Sequence, residues 1–110
     1  MLIDLMQLEF IDLILRKMAT ETESAFRVMF EVTSLFRIDD DGVHGTLPVR
    51  GLDWGCKNEL IGKAVEAHVN SHWIYDPNRP NKVCCMYHKT PSGDWHLHLQ
   101  VCYRTVRIHD

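Results

Sequence analysis

Apolar residues in the first twenty positions recur at helical spacing. Leu2, Leu5, Met6, Leu8, Leu13, Ile14 and Met18 supply the core side of a helix predicted over about residues 2–20. Asp4, Glu9 and Asp12 interrupt the run. It therefore reads as a buried amphipathic helix, not as a secretory leader or a membrane span, which need an uncharged core. The period then drops to two. Phe26, Val28, Phe30 and Val32 alternate with Arg27, Met29 and Glu31, which predicts a strand over FRVMFEVTS. RIDDDGVHG is rich in turn residues, and GTLPVRGLDW passes through a short extended piece in which Pro48 argues against helix. Helical spacing returns over residues 58–73, with Asn58 as N-cap and Ile61, Ala64, Val65, His68 and Val69 as the stripe. After the Pro-rich loop YDPNRPN, the strand KVCCMYH, the turn KTPSGD and the strand WHLHLQVCYRTV form a hairpin. The order α, β, loop, α, β, β predicts an α+β fold: a small antiparallel sheet with helices packed on one face, as a single domain over residues 1–110.

Composition narrows the function. A net charge of -3, with no basic patch interleaved with aromatics, gives no drive toward nucleic acid. Cys56, Cys84, Cys85 and Cys102 include an adjacent pair and no CxxC, so they are neither a disulfide framework nor a redox motif; reduced thiols in a cytoplasmic protein are the plain reading. No membrane partner is expected, and a role outside the cytoplasm would need another factor to export the chain or to lyse the cell.

The candidate chemistry lies in DWHLHLQVCYR. A strand sends alternate side chains to opposite faces, so His96, His98, Gln100 and Cys102 share one face while Trp95, Leu97, Leu99, Val101 and Tyr103 share the other. With His44 and Asp53, the two histidines offer nitrogen and oxygen donors of the kind zinc takes; three such ligands plus an open position make a catalytic site. The competing reading is a pair of inert surface histidines. His68 and His72 lie four apart on a helix, but HVNSH lacks the Glu of HExxH, which favours a boundary role for His68. His88 shares the face of His96 and His98 if the hairpin turn has an odd residue count, and stands as a reserve ligand. Cys84 and Cys102 also fall on that face by alternation, where buried inert thiols are the commoner outcome.

Ser34-Leu35-Phe36-Arg37, then His44, then VRGLD ending in Asp53, then HLHLQV, together resemble the signature of the M15-type, D-alanyl-D-alanine-carboxypeptidase-like zinc peptidases, a group with lysostaphin-type and hedgehog-type relatives. The resemblance spans roughly residues 28–104. It implies a hedgehog/D-Ala-D-Ala-peptidase-like fold and a Zn2+ ion held by His44, Asp53 and His98. It also implies His96 as neighbouring acid/base, Arg37 as the fork that binds a substrate carboxylate, and hydrolysis of peptide bonds in peptidoglycan stem peptides in the manner of phage or prophage enzymes. Many members carry a carboxylate where this chain has Trp95. The ligand and base roles of His96 and His98 therefore stay open to exchange, with Asp94 as the substitute carboxylate. An inactive metal-binding or interaction domain of the same fold, for example in phage assembly, is the alternative. Arg37 has a second reading as an ion pair with the Asp39–Asp41 run, and Asp53 as a charge favoured near a helix N-terminus.

Overall fold

Asp12 sets where the first helix begins. Its Oδ1 accepts from the backbone N–H groups of Ile14 (2.8 Å) and Leu15 (3.2 Å), the bonds an N-cap makes. The computed structural model describes residues 11–34 and 48–108, without the side chain of Ser34. Helix α1 runs Leu13–Phe26. The predicted helix over 2–20 is corrected in its described part: the cap at Asp12 rotates Leu13 (74% exposed) and Ile14 (37%) toward solvent, while Leu15, Met18 and Ala19 are fully buried. Leu2, Leu5, Met6 and Leu8 lie outside the described residues.

The chain leaves α1 through Arg27, which adopts the left-handed conformation at φ 54°. The alternation that follows is real in burial but not in pairing. Phe30 is buried and Met29 is 65% exposed, yet the Phe30 N–H donates to Glu23 Oε2 at 2.8 Å instead of to a strand. The predicted strand over 26–34 thus shortens to β1, Val32–Ser34. Strand β2 is Gly51–Gly55, α2 is Glu59–His72, β3 is Trp73–Ile74, β4 is Cys85–Lys89, β5 is Trp95–Gln100 and β6 is Val106–Arg107. Asn58 caps α2 as expected, its side chain accepting from Ile61 N–H at 3.1 Å. Ala64, predicted on the stripe, is exposed, and Gly62 is buried in its place. The predicted long last strand stops at Gln100, so Tyr103 (78% exposed) leaves the apolar face, and Trp95 at the strand's start is 42% exposed, while Leu97, Leu99 and Val101 stay fully buried.

The architecture is α+β: two helices, among the described residues, against an antiparallel four-stranded sheet of order β1-β2-β5-β4, with β3 and β6 forming a separate pair. Leu52 pairs with Leu99, Trp54 with Leu97, and Cys85 with Leu99. These side chains join Leu15, Met18, Val65 and Val69 in one buried cluster. Each fully buried Leu or Val there contributes about 1.5–3 kcal/mol. The outer edge of β4 is covered by α2: Asn70 exchanges two 2.9 Å hydrogen bonds with the Cys85 backbone, and Glu66 Oε2 accepts from Tyr87 N–H at 2.7 Å. Side chains four apart on the helix thereby satisfy backbone two apart on the strand and close an edge that would otherwise invite pairing. No described helix is long and apolar enough to cross a membrane.

Candidate functional site

The side of β5 turned away from the buried cluster carries His96, His98 and Gln100, half-buried residues that alternate with fully buried Leu97 and Leu99. Asp53 sits opposite His98 in the β2–β5 register, although the two are 45 residues apart in sequence. Its carboxylate is buried, and Asp53 Oδ1 lies 2.7 Å from His98 Nδ1.

The other ring nitrogen of His98 faces Gln100. Gln100 Nε2 donates to the Val83 carbonyl at 2.8 Å, which turns Gln100 Oε1 toward His98 Nε2 at 3.2 Å. With its ring hydrogen on Nδ1, His98 donates to the Asp53 carboxylate; with it on Nε2, the ring donates to Gln100 instead. The donor types are ones zinc takes, and a shared ion would need the two atoms about 3.3 Å apart, so the pair would have to open by about 0.6 Å to hold one. Gln100 Oε1 is placed where it could accept from His98 Nε2, a position like that of the outer partner of a metal-binding histidine.

His96 lies two residues along the same face. Its Nε2 is 2.8 Å from Nε2 of His88, its direct partner in the β4–β5 register, with ring planes at 86°. Residues 90–94 between the strands are five, an odd number, so His88 joins His96 and not Tyr87. The His88 and His98 rings are 6.5 Å apart, centre to centre. A cleft of about 730 Å³ opens beside Asp53 and His96, walled by Lys57, Pro91, Asp94 and Trp95.

The structure therefore brings Asp53, His98 and His96 to one region of the sheet. His44 and Arg37 lie outside the described residues. Among the described residues no three His, Cys, Asp or Glu side chains converge as a cation site. Comparison with family models, curated proteins and solved structures finds no match.

The remaining candidates separate from this face. Burial and the neighbouring His72 both hold the His68 imidazole below its ordinary range, and its ring packs edge-on against Phe26 at 5.2 Å. His72 Nδ1 lies 2.6 Å from the His68 carbonyl, and His68 is half-buried, the boundary position expected for it. Burial pushes the Cys84 thiol up to about 12 and raises Cys85 further, while Cys102 Sγ donates to the Tyr75 carbonyl at 3.1 Å. Cys84 and Cys85 are thus neutral at physiological pH, the wrong form for a metal ligand. Sequence reasoning missed the part played by Gln100. The signal was present in the HxHxQ alternation, which puts all three polar side chains on one face.

Proposed function

We propose that this protein is a zinc-dependent hydrolase of peptide bonds in peptidoglycan stem peptides, on a D-Ala-D-Ala-carboxypeptidase-like fold of the phage type. The observation that supports the reading is the juxtaposition of Asp53 Oδ1 and His98 Nδ1 at 2.7 Å on the strand face that also carries His96, with Gln100 against the far side of the imidazole. In this reading His44 completes the ligand set. Zinc, when bound, polarises the scissile carbonyl and brings the pKa of a water molecule to about 7.

The chain's own side chains do the rest. Gln100 keeps the His98 ring from turning, so its Nδ1 stays aimed at the shared position. His96, two residues away on the same rigid strand, receives the proton released on attack and returns it to the leaving amine. The adjacent cleft, walled by Lys57 and Trp95, takes the peptide in extended form. Arg37 grips a substrate carboxylate through its planar guanidinium.

One observation favours a second reading, an inactive metal-binding domain of the same fold. Trp95 stands three residues before His98, where a carboxylate is the family pattern, and its ring stacks on Tyr87 at 5.0 Å. The experiment is hydrolysis of purified peptidoglycan and of synthetic stem peptides, before and after chelation and after zinc is restored. Release of new amino termini that chelator abolishes and zinc restores supports the hydrolase. A zinc-loaded protein that cleaves neither substrate refutes it in favour of the inactive domain.

A further inference from the structure

We propose that His88 and His96 form a second cation site, distinct from the Asp53–His98 pair, which takes a divalent transition-metal ion when that ion is in excess. The two residues are direct cross-strand partners, so the sheet fixes their Cβ atoms close together. Both rings present the same atom, Nε2, to a common point, and the two nitrogens are 2.8 Å apart. Imidazole nitrogens bind zinc at about 2.0–2.1 Å, so a tetrahedral ion needs them about 3.3 Å apart. Opening the pair by about 0.5 Å takes a small turn of the exposed His88 ring and no backbone movement.

His98 does not belong to this second site. Its two nitrogens face Asp53 and Gln100, and its ring centre is 6.5 Å from that of His88. With two donors among the described residues, the second site binds more weakly than a three-donor site. It fills after the first, and it prefers copper over zinc, as imidazole sites generally do.

The consequence for activity rests on the hydrolase reading. A metal ion on His96 Nε2 removes the lone pair that would take a proton, so excess zinc switches the reaction off. Titration of metal-free protein with zinc alone tests the site without reference to catalysis. We expect two equivalents in the wild type, the second weaker, and one equivalent in His88→Ala. His72→Ala, which breaks the helical histidine pair, still takes two. A single equivalent in the wild type overturns the proposal, as does loss of the weaker step in His72→Ala but not in His88→Ala. In the activity arm, the ratio of rates at ten equivalents and at one falls at least tenfold in the wild type and stays near unity in His88→Ala. An unchanged ratio in the wild type overturns the switch. Two equivalents bound by a protein that hydrolyses nothing keep the site and refute the hydrolase.

Discussion

Replacing Gly62 by alanine tests how α2 is fitted to the hairpin that carries the histidines. In an exposed helix interior the change stabilises by about 0.8–1.0 kcal/mol. Here a Cβ at position 62 falls 2.5 Å from Tyr87 Cδ1 and Cζ and also meets Cε1. The ring cannot give way freely. It stacks on Trp95, and its hydroxyl donates to the Cys56 carbonyl at 2.9 Å. Overpacking of this kind costs about 1–3 kcal/mol, and losing the hydroxyl bond adds about 1 kcal/mol. After the helix gain is subtracted, Gly62→Ala destabilises by about 1–3 kcal/mol, which lowers Tm by at least about 4 °C. Thermal and urea unfolding followed by circular dichroism give the value. Removing the obstacle should reverse the sign: on a Tyr87→Ala background, Gly62→Ala stabilises by up to about 1 kcal/mol. A single variant as stable as the wild type, or a double variant showing the same loss, refutes the packing argument.

Two further predictions follow from the site and from the buried thiols. Gln100→Leu removes the acceptor at His98 Nε2 and weakens zinc binding about 10–100-fold, measured by competition with a chromophoric chelator; an unchanged affinity denies Gln100 its orienting part. Burial raises the Cys84 thiol from 9.0 to about 12, so the stability this neutral thiol contributes is complete below about pH 9 and is lost as pH rises toward 12. Urea midpoints measured upward from pH 8 should therefore fall less steeply in Cys84→Ala than in the wild type, and Cys84 should resist alkylation in native protein at pH 8, read by mass spectrometry.

Much of the scaffold was legible because it depends on neighbours in sequence. The Asn58 cap, the helix after it and the alternation of Leu97 and Leu99 with His96 and His98 follow from spacing alone, whereas the pairing of His88 with His96 turned on whether Lys89 belongs to the turn or, as it does, to β4. What was not legible depends on distant partners. Gly62 replaces Ala64 on the buried face because of a tyrosine 25 residues away. Gln100 is oriented by a carbonyl 17 residues back. The stretch around Phe30 reads as a strand but spends its N–H on Glu23, seven residues earlier on α1. The approach of Asp53 to His98 was expected from a resemblance; its register and its 2.7 Å contact needed coordinates.

Crystals of zinc-loaded protein, with anomalous difference maps collected on either side of the zinc edge, test the account most directly. It predicts one strong peak bonded to Asp53 Oδ1 and His98 Nδ1, with His44 as third ligand and the Gln100 contact to His98 Nε2 kept. An empty Asp53–His98 gap closed by a simple hydrogen bond, or a peak lodged instead between His68 and His72, would contradict it.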